Sequence, residues 1–206
     1  MTRSVCVFDS EVFSNWTLFL FRNVETRETF SFEHPLDLPT LRKVIKAHRL
    51  ITFNGIGYDI PILMLALSGA DAARLKYASN RIIQQHLKPW NFEKEFKVKL
   101  DPAGLDHVDL MEVAPMKGGL KVYGGRLQSR YIQDLPIDHE AEVTEDQKEI
   151  LRQYCSNDLE TTADLYRALQ TQLALREEMS ATYGIDLRSK SDAQIAEAVI
   201  KKEVED

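Results

Sequence analysis

"LITFNGIGYDIPILMLALSGA", residues 50–70, reads as a strand, a tight turn and a helix in direct succession. The run opens with apolar residues of β character and reaches Asn54, where Gly55 and Gly57 allow the backbone a sharp turn. From Tyr58 onward the apolar residues no longer alternate. Pro61 falls near the first turn of a helix, where its missing N–H costs nothing, and Gly69 marks the end. A strand that feeds straight into a covering helix is half of a βαβ unit, so it predicts parallel neighbours.

Toward the N-terminus the pattern changes. Three β-rich runs, Ser4 to Asp9, Trp16 to Val24 and Glu28 to Phe32, follow one another, with "NVETRE" as a polar turn between the last two. The middle run is apolar on both faces, as a covered central strand requires. "PLDLPTLRKVIKAHR" spaces Leu38, Leu41, Val44 and Ile45 as a helix does. Toward the C-terminus, residues 71–104 read as a helix and a basic loop bearing Trp90, Phe92 and Phe96, and "HVDLMEV" reads as a strand. "TEDQ" at Thr144 is a capping box. The helix it opens meets no Gly or Pro before Gly184, too long for a globular helix, so it must break or project. A second box, "SDAQ" at Ser191, opens the last helix. The expectation is an α/β fold with a mixed central sheet, a three-strand meander followed by alternating helices and strands. Residues 1–175 form the domain, and 176–206 a helical extension or the start of a linker.

The chain has 206 residues, 44% hydrophobic and 28% charged, enough for a full core. No apolar run approaches the roughly 20 residues of a membrane span, and the N-terminus lacks the features of a signal peptide. A cytosolic protein with no membrane partner is expected. Cys6 and Cys155 have neither metal-ligand spacing nor a disulfide framework and read as structural. The net charge of −6 argues against a protein that simply coats nucleic acid. It is unevenly spread: residues 117–130 hold four Lys/Arg and no acid, whereas 138–164 hold nine Asp/Glu against two Lys/Arg. That asymmetry suits an anionic substrate steered toward a metal-loaded acidic cluster; solvated faces explain it equally well.

Three stretches carry candidate chemistry. In "VCVFDSEVFSNW", residues 5–16, Asp9 and Glu11 lie at i and i+2, on one face of a strand, with Ser10 turned away. Two such anions are expensive to desolvate unless a cation lies between them, and a hard divalent ion with oxygen ligands meets that need. A strand simply reaching solvent is the alternative. Asp59 stands at the start of the helix after Gly57, as a cap or as a ligand at the carboxyl end of the sheet, where α/β proteins bind. In "LRQYCSNDLETTADLY", residues 151–166, the apolar stripe runs Leu151, Tyr154, Asp158, Thr161 or Thr162, Leu165. An aspartate on a core-facing stripe needs a partner: a shared metal, or a backbone hydrogen bond.

"FDSE", "NGIGYD" and "YCSND" resemble, in this order, the three motifs of the DEDD superfamily of 3'-to-5' exonucleases, in the branch whose third motif is Tyr-x-x-x-Asp. The resemblance covers residues 5–173. It implies a ribonuclease H-like fold and two Mg²⁺ or Mn²⁺ ions about 4 Å apart. Asp9, Glu11, Asp59 and Asp158 would be the metal-binding acids, with Tyr154 orienting the attacking water. The departures are Ser10, where an apolar residue is usual, and Tyr58, where Phe is common. "GGLKVYGGRLQSRYIQDLPI" and "LRSKSDAQIAEAV" further resemble the N-terminal exonuclease portion of bacteriophage-type DNA polymerases. A DNA polymerase domain or subunit would then be a partner, in a bacterial or phage-infected cytosol. The substrate implied is the 3' end of single-stranded DNA. Asn54, Tyr58, Lys117, Lys121, Arg126 and Arg130 are candidates for contacting it, with Trp90, Phe92, Lys94 and Lys97 as further basic or stacking groups. The alternatives are a non-catalytic ribonuclease H-like module that binds nucleic acid or scaffolds a polymerase, and an exoribonuclease of the same fold.

Overall fold

The computed structural model describes residues 3–102, 104–116, 118–130 and 132–205. Lys117 lies outside the described residues. Five strands, β1 (Ser4–Val12), β2 (Thr17–Asn23), β3 (Thr29–Glu33), β4 (His48–Thr52) and β5 (His107–Asp109), form one sheet in the order β3-β2-β1-β4-β5. β1–β2 and β2–β3 are antiparallel; β1–β4 and β4–β5 are parallel. The mixed sheet is as the sequence implies.

The helices among the described residues are α1 (Leu38–Ala47), α2 (Asp59–Leu67), α3 (Ala72–Gln85), α4 (Pro89–Phe96), α5 (Leu120–Leu127), α6 (Glu145–Ala168), α7 (Gln170–Tyr183) and α8 (Asp192–Glu205). The two faces of the sheet have separate cores. Cys6, Phe8 and Val12 of β1 pack with Leu41, Ile62, Leu63, Leu75 and Phe92 of the first four helices. Val7, Leu18 and Ile51 pack with Leu151, Cys155, Leu159 and Leu165 of α6. The period-2 alternation of β1 thus sends even residues to one helical layer and odd residues to the other. No helix among the described residues is long and apolar enough to cross a membrane.

Several boundaries differ from the sequence reading, each for a local reason. β1 continues through Val12, because β2 pairs with it out to Val12↔Thr17, so Asp9 and Glu11 stand inside the strand and not beyond its end. The expected aromatic loop is α4, started by Pro89; Phe92 is fully buried and Phe96 nearly so, while Trp90 remains 60% exposed. β5 stops after three residues because the Asp109 carboxylate accepts the N–H of Met111 at 3.0 Å and turns the chain. α5 is hidden in the sequence by its glycines. Gly124 lets α5 come close to α6: a Cβ would stand 3.0 Å from the Thr161 methyl, which would have to give by a few tenths of an ångström. The long helix breaks at Leu169, whose φ of −97° and ψ of 11° end α6 before α7 begins. The capping boxes at Thr144 and Ser191 form as expected.

The C-terminal segment is fastened to the sheet edge. Leu187 is buried, Ser189 Oγ accepts the N–H of Asp109 at 2.9 Å, and Arg188 reaches Asp106 at 2.6 Å.

Candidate active site

The site begins with unequal strand lengths. β4 pairs with β1 only as far as Val7↔Ile51 and ends at Thr52, so residues 8–12 of β1 have no strand on that side. The loop from Phe53 to Tyr58 and the start of α2 enter this notch. Two features force the loop's path. Gly55 packs so closely on Thr52 that a Cβ would sit 2.0 Å from Thr52 Oγ1. Asn54 takes a left-handed φ of 64°, a conformation Asn tolerates better than most residues. The buried Asp109 carboxylate then accepts the N–H groups of Asn54 and Ile56 at 2.8 and 2.9 Å. Sequence reasoning missed Asp109. The one signal was an acid at the end of an apolar strand, the same signal that marked Asp9.

These constraints deliver Asp59 to the first turn of α2, 4% exposed, where Ser10 Oγ donates to its Oδ1 at 2.6 Å. Ser10 is on the opposite face of β1 from Asp9 and Glu11, as alternation requires, yet it touches the third acid. On the other face α6 lies across β1, and the Cys155 thiol donates to Asp9 Oδ2 at 3.6 Å. Cys155 is therefore part of the site wall; its place beside Tyr154 in the sequence was the available signal. Tyr154, Asp158, Thr161, Thr162 and Leu165 all fall on the inward stripe read from the sequence, with Asp158 retaining some exposure.

The electrostatics bind the four acids into one unit. Burial pushes the Asp9 carboxyl well above the usual range, and the charges of Asp59, Glu11 and Asp158 push it further. Glu11 is raised in the same way by burial, Asp158 and Asp59. Burial pushes Asp59 up to about 7, against the pull of the Ser10 hydroxyl, with the Asp109 charge adding to the rise. Asp158 is raised by burial and drawn down by the Tyr154 hydroxyl and Lys121. Burial and the charges of Asp158 and Glu11 hold Tyr154 protonated far above neutrality. Lys121 draws Glu11 and Asp158 down but is itself paired with Asp134 at 2.7 Å.

The acids are half-buried or buried and their charges oppose one another, so a cation among them would relieve the repulsion. Among the described residues, Asp9, Glu11 and Cys155 offer ligand atoms within 4.8 Å of one another, two carboxylates and a thiol; Asp59 and Asp158 stand outside that cluster.

The other sequence candidates are less concentrated. Asn54 is exposed on the notch loop, and the Tyr58 hydroxyl meets Ser79 Oγ of α3 at 2.8 Å. Lys121, Arg126 and Arg130 are exposed on or just after α5, with Arg126 contacting Met116. Phe92 is in the core and has no face to offer a base. A separate cavity of about 560 Å³ opens on the far side of the loop, lined by Asn54, His107, Asp109, Arg188 and Lys190 among others, and the four acids do not line it.

Comparison with protein-family models, with curated proteins and with solved structures yields no match.

Proposed function

We propose that this chain is a metal-dependent 3'-to-5' exonuclease of ribonuclease H-like fold, acting on the 3' end of single-stranded DNA. The observation that supports it most is the meeting of four acids from three separate stretches, Asp9 and Glu11, Asp59, and Asp158, each raising or raised by the others. The strand order and the motif order of the sequence resemblance agree with this reading, as does the tyrosine one helical turn before Asp158.

Asp9, Glu11, Asp59 and Asp158 would hold two Mg²⁺ or Mn²⁺ ions. Bound there, such ions neutralise charge on the scissile phosphate and lower the pKa of the attacking water. The chain's own contribution is positional. Tyr154, kept protonated, is no base; its hydroxyl can donate a hydrogen bond and fix the orientation of a water beside Asp158. Asp59 is buried while Asp9, Glu11 and Asp158 are half-buried, so the acids meet solvent on one side and a phosphate can approach them there, with charge interactions stronger than in open water. Lys121, close enough to influence Glu11 and Asp158, supplies positive potential at the mouth, where a phosphate backbone would enter. Arg126, Arg130 and Asn54 extend that entry, and a replication polymerase is the partner that would supply mispaired 3' ends.

The test is a 5'-labelled single strand incubated with the full chain and Mn²⁺ or Mg²⁺. The expected product is a ladder shortened stepwise from the 3' end, abolished by EDTA and in Asp158→Ala. Full activity in Asp158→Ala would refute the assignment. An RNA strand in parallel decides between DNA and RNA as substrate.

A further inference from the structure

Ser10 interrupts an otherwise apolar row. The residues that share its face of β1, Cys6, Phe8 and Val12, are all in the core with the first four helices. Ser10 is 6% exposed among them, so packing alone favours another apolar side chain there. Its hydroxyl has one partner, Oδ1 of Asp59 at 2.6 Å, the distance of a charge-assisted hydroxyl-to-carboxylate bond. The contact spans 49 positions and joins the strand carrying two of the acids to the helix carrying the third. β1 has no strand neighbour here on the β4 side, and the Ser10 backbone N–H turns to the same Asp59 carboxylate.

We propose that Ser10 is a positioning residue for Asp59. The hydroxyl holds one carboxylate oxygen and, with the backbone N–H groups of Ser10 and Asp59, orients the carboxylate beside Asp9 toward a bound cation. Hydrogen bonds to a metal-ligating carboxylate set its direction, and their loss typically weakens metal binding by about 10-fold or more. The proposal rests on the reading of the four acids as a divalent-cation site. A purely structural role, tying β1 to α2, is the competing account. It predicts a change in melting temperature alone.

The experiment is calorimetric titration of Mn²⁺ into the chelator-stripped full chain, for wild type, Ser10→Ala and Ser10→Thr, with melting temperatures in EDTA alongside. The expected result is Mn²⁺ affinity about 10-fold weaker in Ser10→Ala and restored in Ser10→Thr, which keeps the hydroxyl. Unchanged affinity in folded Ser10→Ala overturns the role of Ser10, whatever happens to the melting temperature. If Ser10→Ala does not fold, Ser10→Cys replaces it: a weaker donor must give weaker Mn²⁺ binding, and affinity equal to wild type overturns the proposal. A folded wild type that binds no Mn²⁺ removes the cation-site reading itself, and the role of Ser10 with it.

Discussion

Two groups of acids among the described residues are treated oppositely by the chain. At the C-terminal edge, Asp106 is held by Arg188 at 2.6 Å and by Arg49 at 3.1 Å, and Asp186 by Arg188 at 2.7 Å. Burial alone would raise Asp106, but the two guanidinium groups more than reverse it, and Arg188 likewise holds Asp186 below the usual carboxylate range. In the notch beside β1, Asp9, Glu11, Asp59 and Asp158 have hydroxyls, a thiol and one another, and all are raised. Acids that fasten the C-terminal segment to the sheet receive arginines. Asp109, raised by burial as well, is compensated by three backbone N–H groups; the four acids of the notch instead raise one another, which is what sets them apart from both structural cases.

The largest expected effect breaks this contrast in catalysis. Asp9→Ala and Asp158→Ala should each lower exonuclease rate by about 1,000-fold, the several kcal/mol that loss of a metal ligand removes, with the circular dichroism of a folded chain. Asp106→Asn, measured in the same assay at a temperature where it is folded, should keep its activity. Next comes Tyr154→Phe, which removes only the hydroxyl that orients water. A fall of roughly 10- to 100-fold is expected, and a wild-type rate would remove Tyr154 from the mechanism.

The same contrast has an opposite sign in stability. In EDTA at pH 8, Asp59→Asn should raise the melting temperature, because a buried charge opposed by its neighbours is removed; Asp106→Asn should lower it, because two arginines lose their partner. Each kcal/mol is worth about 2–4 °C in a chain of this size. The pH dependence follows. Acids raised in the folded state bind more protons there than in the unfolded chain, so their contribution is complete below about pH 4 and is lost as pH rises through about 7, the Asp59 value. Acids lowered in the folded state, Asp106 and Asp186, contribute above about pH 4 and lose that contribution on further acidification. Thermal melting from pH 4 to 8 without metal should therefore show a declining limb that Asp59→Asn flattens and Asp106→Asn leaves in place. An unchanged slope in Asp59→Asn would show that this carboxyl titrates normally. The smallest effect belongs to Lys121→Ala, which should reduce the salt dependence of single-strand binding by about one unit of log–log slope.

The carboxylates were legible in the sequence because strand and helix periodicity are local. Asp9 and Glu11 share a face whatever surrounds them, and the Asp158 stripe can be counted off α6. The mixed character of the sheet followed from one turn, Asn54 to Gly57, and from the opening meander; the strand order itself came from the structure. What escaped the sequence depends on neighbours distant along the chain. Asp109 organises the loop from 53 residues or more away, Ser10 reaches Asp59 across 49, and Cys155 reaches Asp9 across 146. α4 was missed because it is short, eight residues with mediocre helix formers, and α5 because two adjacent glycines weaken its pattern; burial of Phe92 and Tyr123 against the rest of the fold is what holds them as helices.

The most direct measurement is anomalous diffraction from crystals of this chain soaked in Mn²⁺. The four-acid site predicts manganese density in the notch, among Asp9, Glu11 and Asp158, and its loss in Asp9→Asn. Manganese bound only elsewhere, at a concentration that supports strand degradation in solution, would contradict it.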